Sequence, residues 1–229
     1  MKKVVLVLSL GGSLIIPGEI DFKFLKEFKK VLLRNTKSHK FIVVCGGGNI
    51  ARKYIYALKK EKLSEKLQSF AGISATRMNA RFMTYFFNKD PGHGIPHTKK
   101  TVKKYLKKND VVFCGALEYK PEQTSDSTAA ELARIFKTDF INLTDVSGLY
   151  NKNPKEYKDA KFIPKISWKK FHELANESKY EPGQHFVLDQ TAAEIIMKNK
   201  INTYILGKDL KQMENVFRKK EFKGTLIGQ

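Results

Sequence analysis

Phe41-Ile42-Val43-Val44-Cys45-Gly46-Gly47-Gly48-Asn49-Ile50-Ala51-Arg52-Lys53-Tyr54-Ile55-Tyr56-Ala57 is the stretch that decides the fold class. Phe41 to Cys45 is a short continuous apolar run, the mark of a strand buried on both faces. Three glycines follow, and then a helical pattern that carries Arg52 and Lys53. Glycine has no Cβ, so the backbone can approach a ligand closely. A new helix turns unpaired N–H groups and its positive dipole end toward the same gap. The device suits an anion, most economically a phosphate, although an ordinary strand-to-helix turn leaves the same trace. A second copy stands at Val4 to Leu10, which ends in Gly11-Gly12-Ser13. Two such strand ends point to two phosphate-bearing ligands. Neither run fits G-x-G-x-x-G or G-x-x-x-x-G-K-[ST], so a Rossmann dehydrogenase and a P-loop NTPase are poorly supported.

Outward from these strands the chain alternates. Strands are predicted at 4–10, 41–45, 111–114, 139–143 and 201–206. Helices are predicted near 21–34, 49–60, 63–87 (broken near Gly72), 98–108, 127–137, 167–177, 189–199 and 209–218. A polar loop is expected at 144–160 and an extended segment at the end. This pattern predicts an α/β fold, a three-layer αβα sandwich with a mainly parallel central sheet. In such sheets ligands bind beyond the carboxyl ends of the strands. Glycines and polar residues gather at four of those ends. Besides the two glycine runs there is Gly115 with Pro121 to Ala130, where Thr124, Ser125 or Asp126 would cap a helix. The fourth end is Thr144-Asp145-Val146-Ser147-Gly148-Leu149-Tyr150.

Bulk properties narrow the class further. With 229 residues, 41% of them hydrophobic, the chain can form one sizeable core, read as a single domain over 1–229. No apolar run reaches about 18 residues, so no membrane helix is expected. The start reads as a first strand and not as a signal peptide. Cys45 and Cys114 each end an apolar run, as buried reduced thiols do, and a cytoplasmic setting is expected. The formal charge of +20 comes from lysines such as Lys99-Lys100, Lys103-Lys104 and Lys107-Lys108. They are not interleaved with stacking aromatics, so a solvated basic surface is favoured over a nucleic-acid partner. His93 and His97 are separated by Gly94 and Pro96, which prevent a regular helix from presenting both to a metal, and no metal site is expected. His185 reads as a loop histidine near Asp189, and Trp168 with Phe171 as core.

The chain resembles the amino-acid kinase superfamily, and within it the archaeal-type uridylate kinases. The resemblance is carried by Leu10-Gly11-Gly12-Ser13, Gly46 to Ile55, Gly72 to Ala80, Gln123 to Ala130, Thr144 to Tyr150, and Leu188-Asp189 with Ala192-Ala193. It implies transfer of the ATP γ-phosphoryl group to UMP, giving ADP and UDP, with Mg²⁺. It implies an acceptor part over about 1–140 and an ATP part over about 141–229. Gly11, Gly12 and Ser13 would hold the β- and γ-phosphates of ATP, with Gly48 and Arg52 toward the donor. Thr144, Asp145, Tyr150 and Asn153 match the ATP base and ribose site. Gly46, Gly47, Ser69, Arg77, Thr124 and Ser125 match the UMP site. Arg52, Asp126 and Asp189 match the catalytic set, Asp189 as a rim aspartate that orders catalytic groups. The family also implies a homo-oligomer, a hexamer, with Ile73, Met78, Phe82 and Phe86 as an outer apolar face.

Departures from the pattern are Ser69 in place of an aspartate, Ser9 and Leu10 where many members carry a lysine, and a longer loop at 116–122 containing Glu122. Two further readings stay open. One is a protein of this fold acting on, or storing, another small phosphate, carboxylate or oxyanion. The other is a non-catalytic basic nucleic-acid-binding descendant. Phosphoryl transfer between nucleotides asks mainly for positioning and charge neutralisation, which glycine amides, Arg52, lysines and Mg²⁺ supply.

Overall fold

Strand periodicity sets the layers. A computed structural model describes residues 3–89, 92, 94–121, 123–177 and 187–229. Its strands are β1 (Val4–Leu10), β2 (His39–Cys45), β3 (Val111–Cys114), β4 (Phe140–Leu143), β5 (Leu149–Tyr150), β6 (Phe162–Ile163), β7 (Lys165–Ile166), β8 (Thr203–Leu206) and β9 (Thr225–Ile227). Its helices are α1 (Gly12–Ile15), α2 (Phe22–Asn35), α3 (Gly48–Lys60), α4 (Glu65–Phe86), α5 (Lys99–Lys108), α6 (Ser125–Phe136), α7 (Trp168–Asn176), α8 (Gln190–Asn199) and α9 (Leu210–Phe217). Along β1, Leu6, Leu8 and Leu10 enter one core while Val5 and Val7 enter the other. β2 repeats this, with Phe41, Val43 and Cys45 on one face and Ile42 and Val44 on the other. Continuous apolar runs are therefore needed to fill both sides of the sheet.

The first core is closed by α1, α2, α4 and α9 through Leu14, Phe28, Met83 and Met213. The second is closed by α5, α6, α7 and α8 through Val102, Leu132, Phe171 and Ile196. Burying each such side chain stabilises the fold by about 1.5–3 kcal/mol. The sheet order is β3-β2-β1-β4-β8-β9-β7, parallel throughout except that β9 runs antiparallel to β8. From β1 the chain steps to β2 and β3 on one side and reaches β4 and β8 on the other. A crevice accordingly opens beyond the carboxyl ends of these strands.

The structure amends several local expectations. α4 runs unbroken through Gly72, where a Cβ would meet Ile55 Cδ1 at 3.3 Å, so the small residue serves close packing of α3 on α4. α6 begins at Ser125 because Thr124 caps it: the Thr124 hydroxyl accepts from Asp126 N at 3.1 Å, and Ser127 Oγ accepts from Thr124 N at 3.1 Å. The expected loop at 144–160 contains β5, which pairs with β6 in a separate antiparallel ribbon. Of the outer apolar face expected on α4, Met78 is exposed, but Phe82 and Phe86 pack against the first core and Ile73 faces the crevice. Cys45 and Cys114 are free and fully buried, and burial raises both thiols, that of Cys114 to about 12. His93, Glu122 and His185 lie outside the described residues. No described helix is long and apolar enough to cross a membrane.

Candidate active site

The two glycine runs meet each other. A Cβ on Gly12 would lie 2.2 Å from Gly48 N, 2.6 Å from Gly48 Cα and 2.7 Å from Gly46 O. A Cβ on Gly46 would lie 2.7 Å from Gly12 N, and Gly48 adopts φ +60°. The first turn of α1 is thus packed backbone to backbone on the first turn of α3. Both loops hang from adjacent parallel strands, with Gly46 N donating to Leu10 O at 2.9 Å and Gly11 N donating to Leu143 O at 3.0 Å. Asn79 of α4 fixes the second loop from behind, its side-chain amide donating to Gly46 O at 2.7 Å. Two helix starts are held side by side with their N–H groups at one crevice.

That crevice is an open cavity of about 1510 Å³. Pockets for a single small ligand run to roughly 300–1,000 Å³, so the space suits two ligands in one cleft. At one end it is lined by Ser69, Gly72, Ile73, Thr76, Ala116, Thr124 and Ser125. At the other it is lined by Thr144, Asp145, Tyr150, Asn153, Lys155 and Lys208. Gly11, Gly12, Ser13, Gly46, Gly47, Gly48, Arg52 and Asp126 line it as well. Every site residue singled out from the sequence borders this cavity except Arg77 and Asp189. Arg77 is spent elsewhere: its guanidinium donates to Ala116 O at 3.1 Å and Leu117 O at 2.7 Å, clamping the loop after β3. Asp189 is 3% exposed and stands beneath the site, where a rim position was expected.

Asp189 acts as a shared cap. It accepts from Thr124 Oγ1 at 2.5 Å, Ser127 Oγ at 2.8 Å, Ser127 N at 3.1 Å and Ala192 N at 2.7 Å. One carboxylate thereby closes the N-termini of both α6 and α8. The first turn of α6 is fixed by it, and with that turn Thr124, Ser125 and Asp126. Asp126 accepts from the fully buried Ser9 hydroxyl at 2.7 Å. Burial and then the nearby Asp189 charge push the Asp126 carboxyl up to about 7, against the pull of the Ser9 hydrogen bond.

The cations are distributed unevenly. Lys155 pairs with Asp145, Lys152 with Asp159 at 2.5 Å, and Lys208 with Asp21 at 3.6 Å. Burial would raise the Asp145 carboxyl, but Lys155 outweighs it and holds the group below its ordinary value. The Arg52 guanidinium has no hydrogen-bond or ion-pair partner among the described residues and faces the cavity. A phosphate would supply the missing acceptor, and guanidinium geometry suits it bidentately. Among the described residues no group of three or more His, Cys, Asp or Glu side chains converges on a metal position.

Sequence reading gives no site role to Asn142, Lys155 or Lys208, and meets Ser9 only as a departure from the family pattern and Gln123 only as part of a motif. Lys208 follows the carboxyl end of β8, a fifth strand end, and the Gly207-Lys208 step carried the only signal. Asn142 belongs to a short apolar strand and gives none. Asn142 is 3% exposed, and its side-chain amide donates to Val187 O at 2.7 Å.

Residues 4–207 match the model of the amino acid kinase family. The uridylate kinase of Thermococcus sibiricus is 31% identical over 97% of this chain and 98% of its own. That of Thermoplasma volcanium is 33% identical over 94% of this chain and 93% of its own. The crystal structure of uridylate kinase from Archaeoglobus fulgidus superposes with a TM-score of 0.81 at 32% identity, covering 98% of this chain and 100% of that one. With interlocked glycine loops at the ends of β1 and β2 and a cleft sized for two ligands, the chain belongs to the amino acid kinase family.

Proposed function

We propose that the protein is a nucleoside monophosphate kinase that transfers the γ-phosphoryl group of ATP to UMP. The observation that carries this reading is the pair of helix starts locked together by Gly12 and Gly48 in one cleft large enough for two nucleotides. Relatives named uridylate kinase along nearly the whole chain support UMP as the acceptor.

In this reading the acceptor lies toward Ser69, Thr124 and Ser125, and ATP toward Thr144, Asp145, Tyr150 and Asn153. An oxygen of the UMP phosphate attacks the γ-phosphorus while the bond to the bridging oxygen of ADP breaks, with no proton required from the protein. The chain's contribution is in-line positioning over the two glycine loops and charge neutralisation by Arg52. Mg²⁺ arriving with ATP would neutralise charge on the β- and γ-phosphates. Among the described residues no group of three or more His, Cys, Asp or Glu side chains would cage it, so nucleotide oxygens would supply most of its ligands. Asp189 works indirectly, through the helix turn that presents Asp126 and Thr124. A homo-oligomer is part of the proposal, supported by Tyr54 and Tyr56 on α3 and Phe70, Met78 and Tyr85 on α4, which are all exposed. Action in the cytoplasm completes the reading.

A coupled ADP-release assay with ATP·Mg²⁺ tests it against UMP, CMP, AMP, GMP and dUMP. Isopentenyl phosphate, acetylglutamate and carbamate complete the panel. Turnover confined to UMP is expected. Turnover of another acceptor with none of UMP would refute the assignment while leaving the phosphotransferase chemistry standing.

A further inference from the structure

α5 carries lysine at six of its ten positions, Lys99, Lys100, Lys103, Lys104, Lys107 and Lys108. Five of them, at i, i+3, i+4, i+7 and i+8 from Lys100, are exposed. At 3.6 residues per turn they fall within an arc of about 140° and along roughly 12 Å of helix axis. Val102 and Leu106 on the opposite side are buried in the second core. In sequence the lysine pairs look dispersed; on the helix they form one face.

Among the described residues the neighbouring acids Glu131 and Asp110 do not compensate this face. Glu131 is held by Lys99 and Arg134, and Asp110 by Lys3 and Lys40. Lys100, Lys103, Lys104, Lys107 and Lys108 have no ion-pair partner among the described residues. Like charges at these spacings repel one another, and Lys100 in the first turn also opposes the helix dipole. The helix is nevertheless rigidly anchored. Thr98 and Thr101 form a capping box, the Tyr105 hydroxyl donates to Gly94 O at 3.1 Å, and the Lys40 ammonium donates to Leu106 O at 2.6 Å near the helix end. The charge array is preorganised and unsatisfied.

We propose that this face of α5 binds the sugar–phosphate backbone of nucleic acid, without base selectivity and independently of the nucleotide cleft. Charge complementarity selects a dense polyanion. No exposed aromatic side chain lies within the lysine arc to stack a base, so sequence would not be read. The arc also presents no apolar group that would enter a bilayer, which sets the face apart from membrane-seeking helices. None of the five lysines borders the cleft.

The test is fluorescence anisotropy with a labelled oligoadenylate of about 20 nucleotides, titrated across salt, with and without saturating UMP and ATP. Five phosphate contacts on a single strand predict a slope of log K against log salt of about −3.5. That slope corresponds to a loss of roughly a hundredfold between 50 and 200 mM. Changing Lys100, Lys103, Lys104, Lys107 and Lys108 together to Gln should flatten the slope and abolish binding, with kinase turnover unchanged as proof of folding. Changing exposed Lys158, Lys170, Lys211, Lys220 and Lys223 to Gln removes the same charge and should leave most of the binding intact. Any of four results overturns the proposal: absence of binding at low salt, equal loss in both variants, displacement by UMP or ATP, or binding to phosphatidylserine vesicles without binding to RNA. None of these bears on the kinase assay, so the two readings fail separately.

Discussion

Replacing Gly12 by Ala tests whether the glycine loops are a structural joint as well as a ligand cradle. The new Cβ would lie 2.2 Å from Gly48 N and 2.6 Å from Gly48 Cα. Ordinary contact begins near 3.4 Å, so the loops must part by about 1.2 Å. The obstructing atoms are backbone, in a residue already at φ +60°, and no side-chain rotation relieves them. Overpacking of this kind costs about 1–3 kcal/mol, a fall in Tm of roughly 2–4 °C for each kcal/mol in a chain of this size. A shift of about 1 Å at the reacting centre costs on the order of 10²-fold in rate. The measurements are the melting temperature of the nucleotide-free protein and kcat in the ADP-release assay. Gly18→Ala is the control, since nothing lies within 4 Å of its Cβ, and it should change neither quantity appreciably. If Gly12→Ala lost activity yet melted as wild type without nucleotide, the glycine would serve the ligand alone and the interlock argument would be wrong.

Three further outcomes are expected. Arg52→Ala should lower kcat by about 10²–10³, equivalent to some 2.7–4 kcal/mol of transition-state stabilisation, and wild-type turnover in that variant would remove Arg52 from the mechanism. Asp126 is raised from 3.8 to about 7 in the folded state, so the folded protein keeps a proton that the unfolded chain releases between those values. Its contribution to stability is therefore full below the unfolded value and lost as pH rises through the folded one. Asp126→Asn should gain on the order of 4 kcal/mol over wild type between pH 4 and 8, and parallel stability–pH curves from denaturant titrations would refute the assignment. Lys155→Ala breaks a largely exposed pair with Asp145, so Tm should hold while the KM for ATP rises several-fold; an unchanged KM would place ATP away from Asp145.

The layers of the fold are legible because Val4 to Leu8 in β1 and Phe41 to Cys45 in β2 are continuous apolar runs, and only a strand covered on both faces requires that. The helices were legible from their periodicity, with starts displaced by a residue or two where capping decided them, as at Thr124. The two-residue strands β5 and β6 are too short to show a period, which is why their ribbon read as loop. The glycine runs are plain in the sequence, but only half of their reason is. Ligand approach explains why glycine is useful, whereas the packing of Gly12 on Gly48 explains why no other residue fits. The contacts of Asp189 and Arg77 are illegible in the sequence for a related reason. Their partners Thr124, Ser127, Ala116 and Leu117 lie some 40 to 65 positions away, and no local pattern announces such a meeting.

Ser9 shows how one buried position can set the charge of the whole floor. The resemblance leads to a lysine at this end of β1, and an ammonium there would hold Asp126 ionised and place a cation beneath the cleft. Ser9 is fully buried and supplies only a neutral hydroxyl, 2.7 Å from Asp126 Oδ1. A neutral donor does not offset the burial of Asp126 beside Asp189, and the carboxyl stays near neutrality. Among the described residues that line the cavity, Arg52 is then the cation left to meet an incoming phosphate, because Lys155, Lys152 and Lys208 are each engaged with an acid. Protonation of Asp126 lowers the negative charge facing that phosphate, and deprotonation restores it. Ground-state affinity for nucleotide should consequently weaken as pH rises through about 7, opposite to the trend that ionisation of the phosphates alone would give with a permanently cationic floor.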